Sequence, residues 1–522
     1  MTHNYKTKIA VTTMVVTLLC LLSSFSGYSS GLSGTYTINA GASASSTNYK
    51  NFSSAISDLL NGSRSTATTG CVTGAGMDGG TANGPGVSGP VTFLVQNSTT
   101  GTALTYAEYV EISKIIGASA TNTITFQGAG LNGSSVTDSS MVVLTNSNSS
   151  SNSYVVYLDY ASYVTFKNIT IKQAGTSAGD VVQVNGSGSS TSYGCTNDNF
   201  LHCQLIGASS ATTTATQSVI YLYESGISKI DTNIVFRNNL IQYGSSALYL
   251  YSWSSLSNSE SNIQLDSNQI KNTYYYPIYV PNYADRLKIT NNIFTSICSS
   301  AGYYGMYLYY CSSPYIVGNT MQSWTTAPAS AIYMYYCSGT NVPNSTTAGA
   351  RVMKNNIYLP SGTNTQSVGV ITNEYSYNGP NSYNANQPTI ISNNMITVGG
   401  SAATYGIYSY WSTYTYIMDN SISFTNTSTS SYGIYTYTYP IGTPMEYYYD
   451  NIVNMAGGEV FYTQYSTGIA TMDYNDLKTS GSNFAYNSSY GTAASGKRNL
   501  QCFNNGYEWL ANNADGEILT AD

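Results

Sequence analysis

One short phrase recurs from residue 236 onward and limits what this chain can fold into. It is an apolar residue, two variable residues, Asn, one variable residue and a second apolar residue. It reads FRNNLI at 236–241, LDSNQI at 265–270, ITNNIF at 289–294, IVGNTM at 316–321 and MKNNIY at 353–358. It continues as ISNNMI at 391–396, IMDNSI at 417–422, YYDNIV at 448–453 and MDYNDL at 472–477. The repeated residues are Asn239, Asn268, Asn292, Asn319, Asn356, Asn394, Asn420, Asn451 and Asn475. An earlier copy, FLHCQL at 200–205, carries Cys203 in the Asn position. A fixed minimum interval with variable excess is the mark of a solenoid, in which each coil needs a constant amount of strand and insertions leave at the corners. The longer intervals contain stretches near 339–350 and 373–388 that are rich in Asn, Ser, Gly and Pro, as surface loops are.

A second phrase lies between the Asn phrases: a small residue followed by alternating apolar residues and Tyr. It reads ALYLY from Ala247, GMYLY from Gly305, AIYMY from Ala331, GIYSY from Gly406 and GIYTY from Gly433, with PIYVP from Pro277 as a weaker copy. Alternation with period two over a short run is a strand signal. Each coil therefore holds at least two short strands. Like strands of successive coils run in the same direction, about 4.8 Å apart. This predicts an all-β parallel β-helix. At a tight corner Asn tolerates the left-handed conformation, and stacked Asn side chains can hydrogen-bond along the axis as a ladder.

The beginning of the chain reads differently. NFSSAISDLL at 51–60 places Phe52, Ile56, Leu59 and Leu60 on one helical face, with Asn51 as N-cap. Such a helix would cover the open edge of the first coil. Lys6 and Lys8 precede an apolar run from Ile9 to Leu22, followed by small residues, which is the pattern of a cleaved secretory signal over 1–28. The expected organisation is a signal peptide at 1–28, a cap region at 29–90, a parallel β-helix at 91–510 and a tail at 511–522. No membrane span is expected after signal cleavage.

Composition narrows the partners. Only 8% of residues are charged and the formal net charge is −7, while Tyr occurs 52 times. With no basic run after the leader, a nucleic-acid partner is excluded. Uncharged hydroxyls and amides suit stacked strands, where like charges would face each other at one strand spacing.

SGTYTINAG from 33, NFSSAISDLL from 51, SGPVTFLV from 88 and IIGASATNTITFQG from 115 resemble the cap and first coils of secreted right-handed parallel β-helix proteins. These belong to the pectin-lyase-like superfamily, and the chain resembles its surface or adhesin-like members of the type common in Bacteroidota. The resemblance spans roughly 33–510. It implies a right-handed solenoid, export, and either adhesion or polysaccharide cleavage.

Residues for cleavage are thin. Glycoside hydrolysis uses paired carboxylates, and lyases use a base beside calcium held by clustered acids. Asp285, Arg286 and Lys288 lie together, and Asp419, Asp450, Asp473 and Asp476 lie near Asn corners. Turn and strand-entry roles account for these better than chemistry. Apart from His3 in the leader, His202 is the one histidine, and no CxxC pair is present, so no metal site, cofactor or catalytic residue is assigned. The glycine-rich stretch GAGMDGGTANGPG at 74–86 has no helix signal after it and reads as a loop.

The tyrosines are the main feature left for function. In GMYLY, Met306 and Leu308 fit the interior, which turns Tyr307 and Tyr309 outward. The same parity turns Tyr249, Tyr251, Tyr279, Tyr333, Tyr335, Tyr408, Tyr410, Tyr435 and Tyr437 outward. Tyr249, Tyr279, Tyr307, Tyr333, Tyr408 and Tyr435 are the candidate ligand-binding residues, offering ring faces to sugar C–H groups and hydroxyls to hydrogen bonds. The expectation is a secreted or cell-surface, non-catalytic β-helix that binds a polysaccharide or surface glycan. A lyase or hydrolase of the same superfamily and a structural spacer or filament subunit are the alternatives. Cys311 and Cys337 fall at the same place on adjacent coils, about 4.8 Å apart, so either a disulfide or a reduced cysteine stack fits there.

Overall fold

The structure is a computed structural model. It describes residues 31–494 apart from 66–75, 98–101, 131–137, 148–152, 176–178, 186–193, 225–229, 253–258, 298–303, 325–328, 338–348, 360–365, 374–387, 401–402, 413, 438–445, 465–468 and 488–490. The leader at 1–28, the tail at 511–522, most of the stretches near 339–350 and 373–388, and Cys71, Cys298 and Cys502 lie outside the described residues.

Three long sheets of 15, 13 and 14 strands run along one axis, each built from every third strand or so of the chain. Neighbouring strands are parallel, as in Gln264–Asp266 with Lys288–Thr290 on the first sheet and Leu248–Tyr251 with Ile278–Asn282 on the third. An antiparallel pair, Asn483–Asn487 with Gly491–Ala494, ends the third sheet. One coil passes through Gln264–Asp266, then Gln269–Lys271 on the second sheet, then Ile278–Asn282 on the third, and returns to the first at Lys288. The fold is the parallel β-helix that the two phrases imply, with three strands per coil. Parallel pairing begins before residue 91, because Leu32–Ile38 already pairs with Val87–Gln96.

Alternation sets the core. On the first sheet Phe93, Phe126, Phe166, Phe200 and Phe236 stack inward, with ring centroids 5.0, 5.2, 5.3 and 5.0 Å apart. Leu265, Ile289, Ile316, Val352, Ile391 and Ile417 continue this column, all fully buried. The glycine that opens three of the tyrosine phrases, Gly305, Gly406 and Gly433, has a steric cause. A Cβ on Gly406 would lie 2.4 Å from Ile422 Cγ2 and 2.5 Å from the Gly433 carbonyl oxygen, because the second sheet crowds the third at that point.

The Asn column is buried and closed on itself. Asn292 donates from its backbone N–H and from Nδ2 to Asn319 Oδ1, each at 3.0 Å. Its Nδ2 also donates to the Leu265 carbonyl at 2.9 Å. Its Oδ1 accepts from the backbone N–H and Nδ2 of Asn268 at 2.9 and 3.0 Å. Both amide hydrogens and both lone pairs are used. The same bonds link Asn239 to Asn268 and run on through Asn319, Asn355, Asn394, Asn420 and Asn451 to Asn475.

Two expectations are corrected here. Asn355, not Asn356, is the ladder member: Val352 and Ile357 face inward on either side of it, so the phrase there is VMKNNI. Asn356 is the next residue and opens the second-sheet strand Asn356–Leu359. Nor does the ladder Asn take the left-handed conformation. The residue before it does: Asn238, Ser267, Asn291, Gly318, Lys354, Asn393, Asp419, Asp450 and Tyr474 all have positive φ. The preceding residue makes the corner, and Asn is selected for its amide.

The cap helix spans Phe52–Asn61. Asn51 caps it by accepting from Ser54 N–H at 2.8 Å, and Gly62 closes it in the left-handed region. The buried Glu108 carboxylate accepts from the N–H groups of Phe52 and Ser53 at 3.2 and 2.9 Å, satisfying the free donors of the first turn. Phe52 packs edge-on against Tyr106, 5.4 Å away, and so seals the first coils. Residues 76–84 form the expected irregular loop, whose Asp78 pairs with the buried Arg64 at 2.6 Å.

Candidate functional site

The third sheet carries the tyrosines, and its register lines them up. Tyr221, Tyr249, Tyr279, Tyr307 and Tyr333 occupy equivalent places on successive coils. Tyr408, Tyr435, Tyr462 and Tyr486 do the same further along. A parallel row contains Tyr223 with Tyr251, Tyr309 with Tyr335, and Tyr410 with Tyr437. All six candidate tyrosines stand in the first row. They are half-buried, because each ring covers its neighbours.

Coil spacing decides how the rings lie. Successive rings in a row are one strand spacing apart, which is stacking distance for phenols. Tyr307 and Tyr333 are 5.3 Å apart and 15° from parallel, and Tyr309 and Tyr335 are 4.8 Å apart and 2° from parallel. Across the strand, Tyr307 and Tyr309 are 6.3 Å apart and 5° from parallel. These four rings form a two-by-two block. Where rings stack face to face along the axis, as here and in Tyr435, Tyr462 and Tyr486, their faces are used up and phenol edges and hydroxyl ends are left outward instead of the flat ring faces expected from the parity. Tyr279 departs from this, turned 73° from Tyr249 and 70° from Tyr307, and so does Tyr408, turned 79° from Tyr435.

Several members of the surface escaped the sequence phrases. Tyr221 and Tyr223 belong to IYLY at 220–223, which has the same alternation without the small residue in front. Tyr462 and Tyr486 sit in weaker alternations, EVFYT and NFAYN. Tyr304 packs 4.8 Å from Tyr333, and Tyr405 lies 5.3 Å from Tyr432, extending the aromatic area toward the second sheet. One coil breaks both rows together: Ile371 stands between Tyr333 and Tyr408, and Asn373 between Tyr335 and Tyr410. Single lapses occur elsewhere, with Gln183 between Tyr157 and Tyr221 in the first row and Asn282 opposite Tyr251 in the second.

Partial burial holds the phenols in their neutral form. The hydroxyls of Tyr249, Tyr307 and Tyr408 are each pushed up to about 12, by burial first and neighbouring phenols second.

Among the described side chains, the acids flagged in the sequence form no converging site. Asp285 and Arg286 pair with each other at 2.7 Å, and Asp419 and Asp450 make corners. The carboxylates that do come together are others, and they lie inside the coil. Asp231 N–H donates to Glu260 Oε2 at 2.7 Å, and Cys195 N–H donates to Asp231 Oδ1 at 2.6 Å. Asp198, one strand over, accepts from Val164 N–H at 2.8 Å. Burial raises all three, Asp231 to about 7 with the Glu224 charge adding to it. Glu446, also buried and raised to about 7 by burial, accepts from Ser409 Oγ and Thr436 Oγ1 at 2.5 Å each and from the Tyr448 hydroxyl at 2.7 Å. Among the described residues, no group of His, Cys, Asp or Glu has the arrangement of a metal site.

Of the two arrangements open at Cys311 and Cys337, a disulfide or a reduced stack, the structure has the free thiols. The two are in register and buried, and both remain thiols. Cys337 Sγ turns to the carbonyls of Leu308 and Tyr335 at 3.5 Å, and Cys311 Sγ to that of Tyr309 at 3.9 Å. Stacked parallel strands aim equivalent Cβ atoms the same way, whereas a disulfide needs them to converge.

Fold and site together define a parallel β-helix whose third sheet is lined with stacked tyrosines. No family model matches the chain, and no curated relative does. Among solved structures, a surface adhesin of Streptococcus pneumoniae, PfbA, aligns over 78% of this chain and 87% of its own at 12% identity, with a TM-score of 0.33. An alginate lyase from Paenibacillus sp. str. FPU-7 aligns over 74% of this chain and 93% of its own at 11% identity, with a TM-score of 0.19. Among the described residues, no helix is long and apolar enough to cross a membrane.

Proposed function

We propose that this is an exported, non-catalytic β-helix that binds carbohydrate, or attaches one surface to another, through its tyrosine sheet. The observation that carries the reading is the interruption at Ile371 and Asn373. Strands on both sides of that coil pair in register without the rings. The fold therefore does not require tyrosine at these positions, yet the rows resume at Tyr408 and Tyr410 as soon as the next coil begins. Stacked rings are also rigid, so a partner meets groups whose rotamer entropy is already lost. The converging acids support the non-catalytic side of the reading, because Asp198, Asp231 and Glu260 are sealed inside the coil, away from any polymer.

A glycan array probed with protein lacking residues 1–28 tests this, alongside a variant with Tyr307, Tyr333, Tyr408 and Tyr435 changed to Ala. Binding that disappears in the variant is expected. Binding unaffected by the four substitutions removes the tyrosine sheet from the reading, and release of unsaturated or reducing ends from any bound polymer replaces it with an enzyme.

A further inference from the structure

The make-up of the third sheet also bears on which polymer it takes, an inference that rests on the carbohydrate reading above. Among the described residues, its strands carry no lysine or arginine. The cations borne on strands stand on the other two sheets: Lys167, Arg237, Lys288 and Arg351 on the first, and Lys172, Lys271 and Lys478 on the second. Arg286, at the corner after Ile278–Asn282, is paired with Asp285. Acids on the third sheet are confined to Glu111 near its start and the buried Glu459 near its end. The phenols between them stay neutral.

A uronate or sulfated chain laid on this sheet would shed hydration from its charges and find no counter-charge. An uncharged chain sheds only hydroxyl hydration, which phenol hydroxyls replace as donors and acceptors. Direction follows from the rows. Along the axis a hydroxyl end recurs with every coil, as in Tyr435, Tyr462 and Tyr486, whose rings are 4.5 and 4.7 Å apart. Across the axis a chain leaves the tyrosines after two or three rings.

We infer that the tyrosine sheet binds a neutral, extended polysaccharide lying parallel to the solenoid axis. The chain is held in two segments, over Tyr221–Tyr335 and over Tyr405–Tyr486, separated by the coil of Ile371 and Asn373.

The test is calorimetric titration with a soluble neutral β-glucan, its carboxymethylated derivative and polygalacturonate, at low and high NaCl. Neutral glucan binds with the same affinity at both salt concentrations, since no ion pair is present to be screened. The carboxymethylated polymer binds at least about tenfold more weakly. Tyr307→Phe and Tyr333→Phe, which keep the rings stacked and the fold intact, weaken neutral binding by removing hydroxyls. Ile371→Tyr, which joins the two segments, tightens binding of the long polymer and leaves a tetrasaccharide unchanged. Salt-sensitive, tyrosine-dependent binding of the charged polymers overturns the neutral-chain inference and leaves the carbohydrate reading standing. Equal tightening of long and short chains by Ile371→Tyr overturns the axial direction. Binding of no polymer, or self-association through the same tyrosines, overturns inference and reading together.

Discussion

Two columns run the length of this solenoid in the same register, and they tolerate interruption very differently. The buried Asn column has no gap between Asn239 and Asn475. The outward tyrosine rows lapse at Ile371 and Asn373 without disturbing the strands. Hydrogen-bond closure explains the first. Each Asn leaves an amide hydrogen and a backbone N–H that only the Oδ1 of the next coil can take, so an interior ladder once begun has to continue. It starts where Cys203 offers only its backbone N–H to Asn239 Oδ1, at 2.7 Å. Stacking explains the second. A ring without its neighbour loses a contact but exposes no unmet polar group. Repetition in the first column is demanded by the fold, and repetition in the second is free to serve a partner.

The most direct way to break this contrast is to cut the ladder. Asn292→Leu leaves the backbone N–H and one Nδ2 hydrogen of Asn268 and the carbonyl of Leu265 without partners. At about 1–3 kcal/mol for each buried unmet group, a loss of roughly 5 kcal/mol is expected in urea denaturation. A loss below about 1 kcal/mol would show that the ladder is dispensable. Conversely, Cys203→Asn extends the ladder by one coil, and a gain of about 1 kcal/mol is expected.

The interior acids extend the contrast to charge. Glu446 has three hydroxyl donors, whereas Asp231 Oδ2 and Glu260 Oε1 have no hydrogen-bond partner among the described residues. Burial raises all of them, so each binds its proton more tightly folded than unfolded. Their contribution is complete below the unfolded carboxylate range and is lost as pH rises toward about 7, the folded value of Glu446 and Asp231. For Glu446, raised from 4.5 to about 7, the change is on the order of 3 kcal/mol. Melting temperature should fall between pH 4.5 and 7, and Glu446→Gln should flatten part of that fall. A protein equally stable across the window would mean that these acids ionise without cost.

Legibility followed the same division. The solenoid, the interior face and the outward tyrosines could be read because each depends on residue type at a fixed spacing. One ladder position was misread because Met353 and Tyr358 imitate the flanking apolar residues of the phrase, while Val352 and Ile357 are the ones that face inward. The left-handed corner carries no type signal: Asn, Ser, Gly, Lys, Asp and Tyr all occupy it. Ring orientation was beyond the sequence, since alternation says which way a side chain points but not how rings on adjacent coils pack. The buried acids were hidden for a related reason. Asp198, Asp231 and Glu260 come from corners of irregular length, and only coil stacking brings them together.

On the outward rows a smaller effect is expected. Tyr333→Ala removes ring contacts with Tyr304 and Tyr307 and leaves no buried polar group behind. A destabilisation of about 1–2 kcal/mol is expected, well short of the ladder variant. Carbohydrate binding should fall more than stability does. A ladder-sized loss of stability instead would mean that the rings serve the fold.

The smallest effect tests whether register alone implies a bond. Cys311 and Cys337 repeat as regularly as the tyrosines, yet each sulfur turns to carbonyl oxygens. With both as thiols, Cys311→Ala loses little more than the sulfur's packing, about 1 kcal/mol. Were they bridged, the same change would cost about 2–5 kcal/mol, and reductant would produce an equal loss in the wild type that the variant no longer shows. Comparing urea midpoints of wild type and Cys311→Ala, each with and without reductant, separates the two. Any other disulfide contributes equally to both proteins and cancels. The expected result is the same reductant response in each, because equivalent places on stacked coils bring two thiols close without turning them toward each other.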